Sequence, residues 1–234
     1  MKSDINKEFA LIETILWDKE VKSPRSNLDY FFLLKRHINR VKHSALFFKF
    51  KFDKKTFLNK LNFLHEQLLN EKEIKKAKIK ILFLRNGTIK IEYFPLNYEK
   101  VKKPFIDISS KKVDSKNVFL YHKTTKRTLF NNERERVIKE GLFETIFLNE
   151  KEQLTEGTIT NLFLDLGQKE LLTPKLSCGL LPGTLRQELL ESGKAREEIL
   201  LLDHLKMAKR IFVGNSVRGL IEVKLKQKSN DKIL

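Results

Sequence analysis

Apolar residues recur along this chain with two different periods, and these periods predict its helices and strands. After Ser26, apolar residues fall three and four positions apart, which is the spacing of one helix face. The same spacing predicts a second helix from Lys55 to Leu69. The two helices should each bury one apolar stripe. The stripe residues are Phe31, Leu34, Ile38, Val41 and Ala45 in the first helix, and Phe57, Leu61, Leu64 and Leu68 in the second.

An apolar run with two polar residues at its centre precedes the first helix. Phe9 to Trp17 contains Glu13 and Thr14, and its apolar content predicts a buried strand. A polar group in such a strand needs a hydrogen-bond partner or a chemical role. Arg40, in the helix that follows, is predicted to lie off the apolar stripe.

An Asn-Gly pair predicts a β-hairpin in the next part of the chain. Asn86-Gly87 joins two runs of strand-like character, residues 78–85 and 88–94. This dipeptide is typical of a tight turn in which both residues have positive φ angles. Lysines alternate with isoleucines in both runs, so one face of the hairpin should be exposed to solvent.

A lysine-rich stretch ending at Pro104 divides the chain. Such polar stretches are typical of linkers, so we predict two domains, an α+β domain at residues 1–104 and a second domain at residues 105–234. The elements predicted for the second domain are strands over 144–148, 161–166, 170–173 and 211–213, and helices over 128–140, from Gly183 to before Gly193, and 203–209.

Composition narrows the class of protein. With 234 residues, 41% of them hydrophobic, the chain can bury a substantial core. Its net charge of +17 comes from lysines in every segment without a nucleic-acid-binding motif, so nucleic-acid binding is disfavoured. The single Cys178 excludes an internal disulfide and an all-cysteine metal site, and no metal is expected. Because no apolar stretch reaches about 20 residues, we expect a soluble, cytoplasmic protein without membrane contact.

Lys123 is the candidate for covalent chemistry. It follows Val118-Phe119-Leu120, which resembles the end of a strand, and precedes the predicted helix at 128–140. A lysine must be partly neutral to attack a carbonyl group, so a desolvated site near a positive charge, such as Arg40 or Arg127, would suit it. The alternative is an ordinary surface charge, since the chain has 47 Lys and Arg residues.

A Pro-Gly pair starts the helix predicted after it. Pro182-Gly183 would leave backbone N–H groups exposed at a helix N-terminus, which is a site for an anion such as a phosphate group. The alternative is that Gly183 only permits a turn. A second loop of small residues, 214–219, contains Asn215 and Ser216.

Five motifs occur in a fixed order along the chain. They are FALIET at 9–14, HINRVKHSA at 37–45, HKTTKR at 122–127, TEGTITNLF at 155–163 and LPGTLR at 181–186. In this order they resemble the motifs of the fold-type IV pyridoxal-phosphate enzymes, also called class IV aminotransferases. The resemblance covers nearly the whole chain. It implies an α/β (α+β) fold like that of D-amino-acid aminotransferase, with the cofactor site between two domains.

The resemblance also implies pyridoxal 5'-phosphate as the cofactor and a role for each motif. Lys123 would hold the cofactor covalently and move protons. Glu156 would face the pyridine nitrogen and keep it protonated, and Arg40 would bind the phosphate. The other groups around the phosphate would be the backbone N–H groups of Thr184 and Leu185 and a polar group of Asn215 or Ser216.

Within the family the chain is most similar to 4-amino-4-deoxychorismate lyase, including the lyase-like domains fused to aminodeoxychorismate synthase. Thr184-Leu185 stands where transaminases usually have Ile-Thr, and Ile221-Glu222 where they have Thr-Pro. The resemblance therefore implies conversion of 4-amino-4-deoxychorismate to 4-aminobenzoate, a folate precursor, and pyruvate. It further implies a homodimer that acts on a small-molecule substrate and has a functional link to an aminodeoxychorismate synthase.

Two alternatives stay open. One is a class IV aminotransferase acting on a branched-chain or D-amino acid, and the other is a basic nucleic-acid-binding protein without catalysis. Only Met1 to Glu8 precede the early strand, where relatives usually carry a longer segment. Fused lyase domains lack that segment too, so the lyase branch is favoured.

The substrate side of the site is less well marked in the sequence. Thr14 and Arg218 are the candidates for substrate contacts, and Arg218 would hold a carboxylate. We also expect Lys123 to face a cavity bordered by Glu156 and the turn at 183–186.

Overall fold

The computed structural model describes residues 8–96 and 104–226. These residues form two compact units. The first contains the described residues up to 96 together with His122–Lys126, and the second contains the remaining described residues. The predicted mixed α/β class is confirmed. No helix in the described part of the chain is long and apolar enough to cross a membrane.

The first unit is an antiparallel three-stranded sheet with two helices. Its strands lie in the order β1-β2-β3. The buried strand predicted at residues 9–17 is confirmed as β1, in which alternate residues are buried. The elements are β1 (Leu11–Asp18), a short 3-10 helix (Asn27–Tyr30), α1 (Leu34–Phe48), α2 (Lys54–Asn70), β2 (Lys76–Phe83) and β3 (Ile89–Pro95).

Both predicted amphipathic helices are confirmed. Every residue of the two apolar stripes is buried, although Phe31 lies before the first residue of α1. Asp53 caps α2, because its carboxylate accepts hydrogen bonds from the backbone N–H groups of Lys55 and Thr56. The expectation for Arg40 is corrected: it lies off the stripe but is 9% exposed, because Glu13 in β1 binds its guanidinium group.

The predicted hairpin forms, but its turn differs from the expected one. Among the two turn residues only Gly87 has a positive φ, +94°. The turn is closed by a hydrogen bond from the Gly87 N–H to the Leu84 carbonyl at 3.0 Å. Asn86 instead uses its side chain, whose Oδ1 accepts the Thr88 N–H at 2.9 Å. The pair therefore supplies one left-handed residue and one side-chain acceptor.

The second unit is built on an eight-stranded mixed sheet that curls until it closes on itself. The strand order is β10-β11-β4-β5-β6-β7-β8-β9, and β10 also pairs with β7. The elements are β4 (Phe105–Val113), α3 (Thr128–Lys139), β5 (Glu144–Asn149), β6 (Leu154–Gly157), β7 (Asn161–Asp165), β8 (Leu171–Pro174), α4 (Thr184–Glu191), β9 (Ala195–Glu198), α5 (Leu202–Met207), β10 (Arg210–Asn215) and β11 (Gly219–Leu225).

One prediction for the second half of the chain is wrong, and several strands were missed. Residues 118–121 form a 3-10 helix rather than the end of a strand, because Asn117 bonds locally through its backbone carbonyl and its side chain. The structure places Glu156 in the buried strand β6. Four strands were not predicted, because polar residues interrupt the alternation of apolar and polar positions that indicates a strand. They are β4, β6, β9 and β11.

The predicted domain boundary near residue 105 adjoins residues 97–103, which lie outside the described residues. It stays a prediction. The assignment of Lys123 to the second domain differs from the structure, in which residues 122–126 pack with the first unit. The reason is backbone pairing with β1, which is described next.

Candidate active site

The segment that carries Lys123 is paired with the open edge of β1. The Ile12 N–H donates to the Lys123 carbonyl at 2.8 Å, and the Thr125 N–H donates to the Ala10 carbonyl at 2.9 Å. Leu11 and Thr124 form an antiparallel bridge between them. The Lys123 side chain is half-buried. The backbone at Lys123 is therefore held by a sheet edge rather than by a flexible loop.

Arg40 lies in a buried cluster with Glu13 and His37. Its Nε donates to Glu13 Oε1 at 2.9 Å and its terminal nitrogen donates to Oε2 at 2.6 Å. His37 Nδ1 lies 2.6 Å from the same Oε2 atom. Burial by itself would raise the pKa of Glu13, but the charge of Arg40, the His37 ring and the hydrogen bonds from both side chains together outweigh it and lower the pKa to about 2. Glu13 is therefore an anion that fixes one edge of the guanidinium group.

The charge of Lys123 acts on this same cluster. Burial is the main cause that lowers the pKa of His37, and the Glu13 carboxylate opposes it. The positive charges of Arg40 and Lys123 lower the pKa of His37 further. The structure thus brings the predicted phosphate ligand and the predicted cofactor lysine into one electrostatic cluster. Thr14 occupies the half-buried face of β1, opposite Glu13.

Glu156 belongs to a second cluster, in the second unit. Its carboxylate is buried and accepts the Leu181 N–H at 2.9 Å and the Asn161 amide N–H at 3.2 Å. The Asn161 amide also donates to the Leu181 carbonyl at 3.0 Å. The carboxylate is therefore fixed in orientation. The same bonds attach it to the turn that precedes α4.

The turn before α4 has the features of an anion site. Gly183 is the N-cap residue, in an extended conformation, and no side chain caps the helix. A Cβ atom on Gly183 would lie 1.9 Å from Asn161 Oδ1, so glycine is required here by close approach and not by a positive φ. Thr184 and Leu185, the first residues of the helix, are both buried.

A buried arginine attaches this helix to the sheet. Arg186 is 2% exposed, donates to the Pro174 carbonyl at 2.8 Å and forms an ion pair with Glu197. Because Pro174 and Glu197 belong to neighbouring strands, the N-terminal turn of α4 has a fixed place over the sheet.

Glu144 organises the loop between Glu156 and Asn161, and sequence reasoning missed it. Its two carboxylate oxygens accept four hydrogen bonds from the loop, so the side chain is fully buried and fully satisfied. Nothing in the local sequence around Glu144 marks this role, since the donors come from residues 14 to 16 positions later. The donors are the backbone N–H groups of Thr158 and Ile159, at 2.8 and 3.0 Å, and the hydroxyls of Thr158 and Thr160, at 2.6 and 2.9 Å.

Asn215 and Ser216 lie at the end of β10, and their positions differ from that of Arg218. Asn215 donates from its side-chain amide to the Ile159 carbonyl at 3.1 Å, so it contacts the loop held by Glu144. Ser216 is buried. Arg218 is exposed, and its guanidinium group lies 5.7 Å from the centre of the Phe143 ring.

The predicted site residues thus form two groups, one in each unit. Lys123 and Arg40 belong to the first. In the second, hydrogen bonds connect Glu156 to the turn before α4, and Asn215 to the loop after Glu156. That Lys123 faces Glu156 across a cleft stays a prediction. In the described ranges no group of three His, Cys, Asp or Glu side chains could hold a metal ion.

Comparison with known proteins identifies a family for this arrangement. The profile described as "Amino-transferase class IV" matches residues 10–225, which is most of the chain. Aminodeoxychorismate lyase of Saccharomyces cerevisiae is 28% identical, over 85% of this chain and 68% of the yeast protein.

Two solved structures extend the comparison. A Mesorhizobium loti protein, provisionally named an amino-acid aminotransferase, is 36% identical with a TM-score of 0.81, over 93% of this chain and all (100%) of that one. A Haemophilus somnus protein, provisionally named a 4-amino-4-deoxychorismate lyase, is 26% identical with a TM-score of 0.69, over 91% of this chain and 98% of that one.

Proposed function

Because the chain belongs to the class IV amino-transferase family, we propose that it is a pyridoxal-phosphate-dependent lyase that converts 4-amino-4-deoxychorismate to 4-aminobenzoate and pyruvate. The observation that carries the proposal is the similarity to yeast aminodeoxychorismate lyase across 85% of the chain. The phosphate-turn residues Thr184-Leu185 favour the same branch of the family.

The side chains present fit this cofactor. The first turn of α4 begins at a glycine and has no side-chain cap, so its N–H groups suit a phosphate monoester. Arg40 adds a guanidinium group whose orientation Glu13 already fixes. Glu156 is a buried carboxylate that accepts two N–H hydrogen bonds, an environment that favours the charged form and suits a protonated ring nitrogen.

The residues of the chain would divide the reaction between them. Bound pyridoxal phosphate supplies an electron sink for the carbon that bears the substrate amino group. The Lys123 amine would remove the proton from that ring carbon. Cleavage of the ring C–O bond to the enolpyruvyl group would then leave an aromatic ring, and the released enolpyruvate would take up a proton to give pyruvate, so no amino acceptor is consumed. Arg218 and Thr14 are proposed to contact the substrate, Arg218 through a carboxylate.

The first experiment tests the cofactor. Purified protein incubated with pyridoxal phosphate should gain a visible absorption band, and Lys123→Ala should lose it. Lys126→Ala is the matched control, because it removes a lysine from the same segment and should keep the band. A wild-type protein that stays colourless would refute the cofactor assignment and would leave the non-enzymatic, nucleic-acid-binding alternative.

The second experiment distinguishes a lyase from a transaminase. We expect pyruvate and 4-aminobenzoate in equal amounts from 4-amino-4-deoxychorismate without a 2-oxo acid. The alternative is an aminotransferase acting on a branched-chain or D-amino acid, and the similarity to the Mesorhizobium loti protein, provisionally named an amino-acid aminotransferase, favours an aminotransferase without indicating its substrate. Transfer of an amino group to a 2-oxo acid, with no 4-aminobenzoate formed, would establish that alternative.

The proposal also covers the oligomeric state of the enzyme, its location and its metabolic pathway. We propose a cytoplasmic homodimer in folate biosynthesis that receives its substrate from an aminodeoxychorismate synthase, as the resemblance to the lyase branch implies. Light scattering of the purified protein should give twice the chain mass of 27.6 kDa. A single-chain mass at assay concentration would contradict the dimer.

A further inference from the structure

The residue before Lys123 is anchored on helix α1. His122 Nδ1 lies 2.9 Å from the Ser44 hydroxyl, and both side chains are buried, at 6% and 3% exposure. The imidazole also contacts two aromatic rings of α1, with ring centres 4.6 Å from Phe47 and 4.8 Å from Phe48. His122 therefore fills a site on α1 that is specific in shape and in hydrogen bonding.

The hydrogen bond joins the Ser44 hydroxyl to an uncharged ring. Burial, together with the nearby His43 ring, lowers the pKa of His122 to about 4, so the imidazole is neutral at physiological pH. A neutral imidazole has one nitrogen that accepts a hydrogen bond. Either neutral tautomer makes the bond: Nδ1 accepts the Ser44 hydroxyl when the ring proton is on Nε2, and donates to the hydroxyl oxygen when the proton is on Nδ1.

The anchor determines which side of the segment Lys123 occupies. Thr124 pairs with Leu11 as in an antiparallel strand, and neighbouring side chains in a strand point to opposite sides, so Lys123 and Thr124 point to opposite sides of the segment. His122 and Thr124 are both buried, and Lys123, between them, is only half-buried. Fixing His122 on α1 therefore directs Lys123 to the other side of the segment.

The contact of His122 with α1 acts in addition to the backbone pairing of residues 123–125 with β1. Hydrogen bonds from Ile12 and Thr125 connect the segment to the strand through its backbone. Those bonds hold the segment against β1, whereas His122 holds it against α1, through a side chain and on a different element. Two attachments to two elements restrict both sliding and rotation of the segment.

We propose that His122, held by Ser44, is a positioning residue for Lys123. It keeps the backbone of residues 122–125 in register with β1 and so fixes the point from which the lysine amine reacts. The inference rests on the proposed function in that Lys123 is taken as the cofactor lysine.

The first test needs no cofactor. Amide hydrogen exchange would be measured at Ile12 and Thr125 in Ser44→Ala, His122→Leu and His122→Gln. Exchange should become about tenfold faster in the first two variants, because the loss of a buried hydrogen bond opens the segment more often. His122→Gln keeps an acceptor for Ser44 and should restore much of the protection. Ser192→Ala, which alters an exposed serine at the end of α4, is the control and should change nothing at these amides.

Two exchange results would overturn the inference. One is unchanged protection of both amides in Ser44→Ala and His122→Leu. The other is an equal loss of protection throughout α1 and the three-stranded sheet, which would indicate general destabilisation. If His122→Leu does not fold, Ser44→Ala alone decides between these outcomes.

The second test follows the lysine itself. Protein with pyridoxal phosphate would be reduced with borohydride, and the modified lysines located by peptide mass spectrometry. We expect Lys123 to dominate in wild type and in His122→Gln, and to lose at least about half of its share in Ser44→Ala. An unchanged share in Ser44→Ala would contradict positioning. If wild type shows no label at Lys123, the proposed function fails, while the exchange result still decides the role of His122.

Discussion

The side chain of Glu144 occupies the space that a Cβ atom on Gly157 would need. Such an atom would lie 2.5 Å from the carboxylate carbon of Glu144, which is fully buried. Gly157 has no positive φ, so only close packing requires glycine here. We therefore expect Gly157→Ala to lower the free energy of unfolding by about 1–3 kcal/mol, as overpacking does. Urea denaturation measures this change.

Gly193→Ala is the matched control for that substitution. Gly193 has a φ of +66°, and a Cβ atom added to it would have no neighbouring atom within 4 Å, so only backbone strain of about 1 kcal/mol is expected. A Gly157→Ala variant as stable as wild type would show that packing against Glu144 contributes nothing, whereas the loss in Gly193→Ala measures backbone strain alone.

Removing the Glu144 carboxylate should destabilise the loop that it holds. In Glu144→Ala the backbone N–H groups of Thr158 and Ile159 lose a charged acceptor in a buried place. We expect a loss of about 2–4 kcal/mol in the free energy of unfolding. Glu170→Ala, which removes a surface carboxylate 3.8 Å from Arg196, should cost less than about 1 kcal/mol. Similar losses in both variants would argue against the organising role of Glu144.

The buried pair of Glu13 and Arg40 gives a prediction that depends on pH. The lowered pKa of Glu13 stabilises the wild type above pH 4.5, and this contribution, at most about 3 kcal/mol, is lost as the pH falls toward 2. In Arg40→Met the carboxylate is buried without its cation, so its pKa should rise and destabilisation of about 3–5 kcal/mol is expected at pH 7.

The pH dependence identifies the cause of that loss. In Arg40→Met the folded state should bind a proton at Glu13 that the unfolded state binds less tightly. The difference in free energy of unfolding between wild type and Arg40→Met should therefore become smaller as the pH falls from 7 to 4. Urea denaturation at both pH values measures this difference. A deficit that is the same at pH 4 and pH 7 would show that Glu13 is not the group left unpaired. Glu13→Gln with Arg40→Met should be less destabilised at pH 7 than Arg40→Met alone.

His122 should contribute to a loss of stability in mild acid. Its pKa is about 4 in the folded protein and 6.5 without burial, so the unfolded state binds more protons between these values. Stability should therefore rise with pH from about 4 to 6.5. His37 and His65, whose pKa values are also lowered, should add to the same slope. In His122→Gln the slope should be reduced but not abolished; a slope identical to that of wild type would contradict the assignment.

The turn before α4 gives a prediction about cofactor affinity. Gly183→Ala would force Asn161 to move, and Asn161 is also bonded to Glu156. We expect pyridoxal phosphate to bind at least about tenfold more weakly, because the proposed phosphate contact and the Glu156 carboxylate would be displaced together. Absorption titration measures the affinity. Gly141→Ala, with no atom near the added Cβ, is the control and should bind as wild type does.

Much of the first unit could be predicted from the sequence, because its signals are local. The two amphipathic helices and β1 follow from the spacing of apolar residues, and the hairpin follows from Asn86-Gly87. The type of the hairpin turn could not be predicted from the Asn86-Gly87 pair. Residues around the turn decide whether Asn86 adopts a positive φ or accepts a hydrogen bond with its side chain. The four missed strands contain polar residues that interrupt the apolar pattern by which a strand is predicted.

Some residues of the candidate site could be predicted from the sequence, and others could not. The order of the five motifs was sufficient to select Lys123, Arg40, Glu156 and the Gly183 turn, and the family match over residues 10–225 agrees with it. By contrast, no local pattern distinguishes Glu144 or His122 from an ordinary surface residue.

The sequence by itself determined the family, the helices and the candidate residues, because periodicity, glycine position and motif order are properties of short segments. Only the tertiary structure decided which polar groups are buried together. Glu13 with Arg40, Glu144 with Thr158, and Ser44 with His122 are separated by 27, 14 and 78 positions. Such pairs exist because a buried polar group needs a partner, and which partner it meets depends on how the strands and helices pack.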